Sequence, residues 1–109
     1  MKQYDITNTQ LADTAADSVV NRSAEQAALE SHLQALEESF KDLRRIDSAP
    51  KDLADIKLQM ARTLVSLERS TDAWPLGREA LDTFIDSEDF ESAADACDVL
   101  FQSDQPESL

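Results

Sequence analysis

One glycine and three prolines (Gly77, Pro50, Pro75 and Pro106) are all the chain has for backbone punctuation in 109 residues. A sheet protein of this length needs Gly- or Asn-rich turns between alternating apolar runs, so the scarcity excludes a β architecture. The single cysteine, Cys97, excludes an internal disulfide. No apolar run approaches the roughly 20 residues of a membrane span. Basic residues are missing altogether from the C-terminal third, where ten acids stand from Glu79 onward without one Lys or Arg. Most of the net charge of −13 is therefore local to that third. Nucleic acids and anionic membrane surfaces need clustered Lys and Arg and are excluded as partners.

What remains is all-α, with enough chain for one domain. Residues 1–9 are polar and expected to be flexible, residues 10–102 form a single helical domain, and 103–109 are a flexible tail. Leu11, Ala12, Ala15, Ala16, Val19 and Val20 fit a short, weak first helix. Ser23 and Gln26 form a capping box that predicts a firmer start. From there Leu29, Leu33, Leu36, Phe40 and Leu43 recur at helical spacing to about Ile46. Ser48 is the expected cap of the next helix, with Pro50 in its first turn. That helix carries two apolar faces, Leu53, Ile56, Met60, Leu64 and Leu67 on one and Ala54, Leu58, Ala61 and Val65 on the other. It must lie between two neighbours. Thr71 is the expected cap of a helix to about Asp86, in which Gly77 permits close approach of a neighbour at a cost of about 1 kcal/mol relative to Ala. Ser87-Glu88-Asp89 precedes a last helix from Phe90 to Phe101 or Gln102. Short connections make successive helices antiparallel, giving a stack of four to five.

Gly77, Ala80, Leu81, Phe84, Phe90, Ala93, Cys97, Leu100 and Pro106 stand at the small, apolar and turn positions of one register. Ala54, Ala61, Leu64, Ala73, Gly77 and Ala80 stand at those of a second register, 20 residues earlier. On these residues the stretch 54–107 resembles tetratricopeptide repeats, helical hairpins of about 34 residues that stack into solenoids. The offset prevents both registers from being whole repeats, so a tetratricopeptide-like stack and a plain helical bundle both stay open. The resemblance implies a groove for a peptide or a partner helix. Tetratricopeptide repeats that grip a C-terminal carboxylate use a Lys/Arg/Asn clamp, and Lys57, Arg62, Arg69 and Arg78 amid many acids do not supply it.

No motif points to catalysis. His32 and Cys97 are too few soft ligands for a structural zinc site, and neither a Gly-rich phosphate loop nor a Gly-x-Ser-x-Gly elbow is present. No cofactor is expected. Asp82, Asp86 and Asp98 lie on helix faces and read either as solvated surface or as an acidic rim. Gly77, Ala80, Phe84, Ala93 and Cys97 are expected to close the stack, leaving Trp74, Leu81, Phe90 and Phe101 to face a partner. The combined expectation is a non-enzymatic protein-binding module for a basic, apolar segment, in the manner of a small acidic cochaperone or chaperone-type adaptor. The alternative is a dimerisation bundle pairing through the Leu29–Leu43 seam. One cysteine, together with a start (Met1-Lys2-Gln3-Tyr4-Asp5) unlike a signal peptide, leads to the expectation of a reducing cytoplasm.

Overall fold

Four helices follow one another in the computed structural model: α1 (Lys2–Arg45), α2 (Pro50–Ser66), α3 (Ser70–Asp86) and α4 (Phe90–Gln102). The structure describes the backbone of residues 2–103 and the side chains of residues 21–103. Expectations for the tail 104–109 lie outside the described residues. Among the described residues the fold is all-α, as the scarcity of Gly and Pro requires.

The N-terminal expectations need correction. Helix α1 is continuous over 44 residues. It includes the stretch 2–9 expected to be flexible, and it does not break at Ser23. A capping box competes for the amides of a helix end only where something stops the preceding helix. No Gly or Pro occurs before Pro50, so nothing stops it. At about 1.5 Å per residue such a helix is about 66 Å long, and the longest extent of the molecule is 66 Å. Among the described side chains, those buried on α1 lie in its second half. Leu33 and Leu36 are buried, while residues 21–28 are exposed throughout.

Each connection is built from one turn. The amide of Ser48 donates to the carbonyl of Leu43, that of Arg69 to Leu64 and that of Asp89 to Phe84, while Asp47, Glu68 and Glu88 donate to the carbonyls of Arg44, Val65 and Ile85. These paired bonds are Schellman motifs, which satisfy the orphan carbonyls of a helix end. The motif requires a left-handed residue, and Asp47, Glu68 and Glu88 adopt φ of 56°, 61° and 59°. The turn also decides the caps. Ser48 is spent closing the first motif, so Ala49 becomes the N-cap of α2, and Arg69 rather than Thr71 is the N-cap of α3; neither offers a side-chain cap bond. Pro75 lies inside α3. Glycine is the natural occupant of such left-handed positions. Replacing Glu88 with Gly relieves backbone strain and removes an acid from the negative end of α3. The expected result is a gain of about 0.5–1 kcal/mol after the unfolded-state entropy of glycine is counted. Thermal melting checks it, with Asp47→Gly and Glu68→Gly expected to behave alike.

Ion pairs show how the helices run. Lys51 at the start of α2 pairs with Asp89 at the start of α4 at 3.0 Å, so these two are parallel. Phe40 of α1 lies 5.7 Å from the Lys57 ammonium, while Glu30 reaches Arg69 at 2.6 Å, so α1 and α2 are antiparallel. The core contains Ala54, Leu58, Ala61, Leu64, Ala73, Ala80, Leu81, Phe84, Ala93, Ala96 and Val99 with Leu33. Helix α2 touches all three other helices, and its two apolar faces require that position. Gly77 lies against α4 as expected, but it meets side chains: an added Cβ would stand 3.2 Å from Leu100 Cδ2 and 3.9 Å from Val99 Cγ1.

Candidate partner-binding surface

The N-caps Ala49, Arg69 and Asp89 fall 20 residues apart, and contacts repeat with the same step. Lys57 of α2 pairs with Glu79 of α3 at 3.1 Å. Twenty residues on, Gly77 of α3 lies against Val99 of α4. Each helix therefore offers one stripe to its successor. On α2 the stripe is Ala54, Lys57 and Ala61; on α3 it is Trp74, Gly77 and Leu81; on α4 it is Ala94, Cys97 and Phe101.

The first two stripes are covered and the third is open. Ala61 and Leu81 are buried, whereas Phe101 in the equivalent place is 83% exposed. Phe90 extends the open stripe by a helical turn and is 65% exposed. Ala94 and Cys97 between them are exposed as well.

Two expectations are reversed. Leu81, expected to face a partner, is in the core because α4 covers its stripe. Cys97, expected in the core, is at the surface because no described helix follows α4. Trp74 is partly buried. Ile85, half exposed at the end of α3, joins the apolar surface and was missed, since its sequence neighbours gave no reason to separate it from Leu81. Gly77, Ala80, Phe84 and Ala93 do close the stack.

The acids divide into two groups. Glu79, Asp89 and Asp95 pair with Lys57, Lys51 and Arg62 of α2 across helix interfaces. They complement the one basic helix of the core region. Asp82, Asp86 and Asp98 are exposed around the apolar surface, with Asp82 4.0 Å from Arg78 on its own helix. Part of the acidic third thus fastens the stack, and part is exposed to solvent. Exposed pairs of this kind contribute at most about 1 kcal/mol each.

Asp89 is the most constrained acid. Its carboxylate accepts from the Ser92 amide at 3.2 Å as the N-cap of α4 while pairing with Lys51. The hydrogen bond from Lys51, with those from Ser92, holds its pKa below the ordinary 3.8 and raises that of Lys51. Asp55 shifts the other way, because burial pushes its carboxyl up. The stabilisation from Asp89 is present above pH 3.8, its ordinary value, and is lost as pH falls through its lower folded value. Asp89→Asn is expected to lower stability at pH 7 and to flatten the loss of stability as pH falls below the ordinary carboxylate value. Urea titrations across that range measure both effects.

Among the described residues no three His, Cys, Asp or Glu side chains gather as a metal site, and His32 and Cys97 lie on helices that do not touch. A surface crevice lies between α1 and the end of α2, lined by Arg22, Glu25, Gln26, Leu29, Ser66, Leu67 and Glu68. It contains none of the sequence-predicted site residues. Among the described residues no helix is long and apolar enough to cross a membrane. Comparison with protein-family models, with curated proteins and with solved structures returns no match.

Proposed function

We infer that the protein is a non-enzymatic interaction module, which holds a basic, apolar segment of another protein against the α3–α4 end of its stack. One observation carries this reading: Ile85, Phe90 and Phe101 are exposed on α3 and α4, two helices that also expose Asp82, Asp86 and Asp98 and whose one base is Arg78. Exposed aromatic side chains of this size are the usual anchors of an interface. The acidic rim selects the sign of the partner's charge and accelerates encounter. A role as a small chaperone-type adaptor in the cytoplasm, with tetratricopeptide-like hairpins as its frame, fits this surface. A pair of successive helices spans 40 residues from Ala49 to Asp89, against about 34 in that repeat.

The Leu29–Leu43 seam has another duty. Leu33 and Leu36 are buried within the chain, so pairing two copies through this seam requires unpacking α1 from α2. Binding to a basic, apolar peptide should weaken steeply between 50 and 300 mM salt, a range over which the Debye length falls from about 14 to about 6 Å. Crosslinking followed by mass spectrometry should place the contacts within residues 74–101. Salt-independent binding mapped to α1 would reject the reading.

A further inference from the structure

The repeat geometry says more about the occupant of that surface, on the basis of the interaction reading above. We propose that the outer stripe of α4 receives a basic amphipathic helix from another protein, seated antiparallel to α4 as a fifth member of the stack. The occupant is helical because the stripe is the one that receives a helix in both earlier cases. Cys97 stands where Lys57 meets Glu79 and where Gly77 meets Val99. Phe101 stands where Ala61 and Leu81 are covered. A stacked array ends stably when its outermost face is polar. Among the described residues the outermost face is apolar: Phe90, Ala94, Cys97 and Phe101.

The charge of the occupant follows from the same step of 20. Arg62 of α2 pairs with Asp95 of α4 at 3.8 Å. Advanced by one helix, Arg62 becomes Asp82 of α3, so the helix that lies on α4 meets an acid at that place and satisfies it with Lys or Arg. Asp98 beside Phe101 adds to the same demand. A second copy of this chain answers it poorly, because α4 contains no Lys or Arg. Two α4 faces together would set Asp98 and Glu91 of each copy against one another.

The test uses the full chain and a labelled helical peptide of leucines at i, i+3, i+4 spacing with lysines elsewhere. A scrambled peptide of the same composition and a version with glutamate for lysine serve as comparisons. Binding is read by anisotropy and by protection of Cys97, the one cysteine, from maleimide. The expected result is at least about tenfold tighter binding of the patterned peptide than of the scramble, with Cys97 protected. Phe101→Ser should weaken it about tenfold or more, the size of an interface hot spot, and Asp82→Lys should weaken it severalfold. Ile46→Ser, at an exposed apolar residue on the α1–α2 turn, should change nothing. Patterned and scrambled peptides bound alike, or binding indifferent to Phe101→Ser, would overturn the fifth-helix proposal and leave the broader interaction reading standing. Sedimentation showing a dimer abolished by Phe101→Ser would overturn it in favour of a second copy. No binding of either lysine peptide would overturn both readings.

Discussion

Replacing Phe84 with alanine should cost about 3–5 kcal/mol, the range for deleting a fully buried aromatic ring. Phe84 is the largest side chain with no exposure at all. It sits in α3 among core residues drawn from all four helices. Its backbone also closes the α3–α4 turn by accepting from the Asp89 amide at 2.9 Å, so the ring and the turn that aims α4 share one residue. A domain of this size has only about 5–15 kcal/mol in total. The variant should therefore lose about a fifth or more of its stability and melt more than about 10 °C lower. Ile85→Ala, the half-exposed neighbour, should cost far less. Phe84→Leu should fall between the two, since it keeps much of the volume. Chemical denaturation of the three variants orders them, and equal midpoints for Phe84→Ala and Ile85→Ala would refute this account of the core.

The contrast between Phe84 and its neighbours shows how far the residues alone could be read. Helical content followed from the lack of Gly and Pro, and the central place of α2 followed from its two apolar faces. Which apolar stripe is covered is a different kind of fact. Leu81 and Phe101 occupy the same place on successive helices, as do Gly77 and Cys97. Nothing in a helical wheel tells them apart. Coverage depends on whether another helix follows, and that is a property of the stack. The same reasoning explains why two registers 20 residues apart both matched. The contacts step by one helix at a time, each helix receiving one neighbour and covering another, so any helix can be read as either member of a hairpin. The caps at Ser48 and Thr71 were misplaced for a local reason. A Schellman turn takes its left-handed residue from Asp47, Glu68 or Glu88, and acids there carry no sequence signal of the kind that Gly provides.

The one glycine lies where α3 meets Val99 and Leu100 of α4. Gly77→Ala should be nearly neutral. The gain in helix propensity, about 1 kcal/mol, is set against a Cβ only 3.2 Å from Leu100 Cδ2. Leu100 can yield by a few tenths of an ångström because its end is flexible. Gly77→Leu gives it no such room: a branched side chain must enter space already filled by Leu100 and Val99. Overpacking of this kind costs about 1–3 kcal/mol. The strain is specific to one contact, so it should be relieved by removing the other side of it. Leu100→Ala alone is destabilising, yet in the Gly77→Leu background it should restore stability, with a coupling above about 0.5 kcal/mol in a double-mutant cycle. The pair should also separate fold from binding. In Gly77→Leu the α4 helix is pushed off its seat while Phe90, Cys97 and Phe101 are untouched. Affinity for the patterned helical peptide should fall with Gly77→Leu and return in the double variant. Simple additivity of the two substitutions, with unchanged peptide affinity throughout, would mean that Gly77 does not set the position of α4.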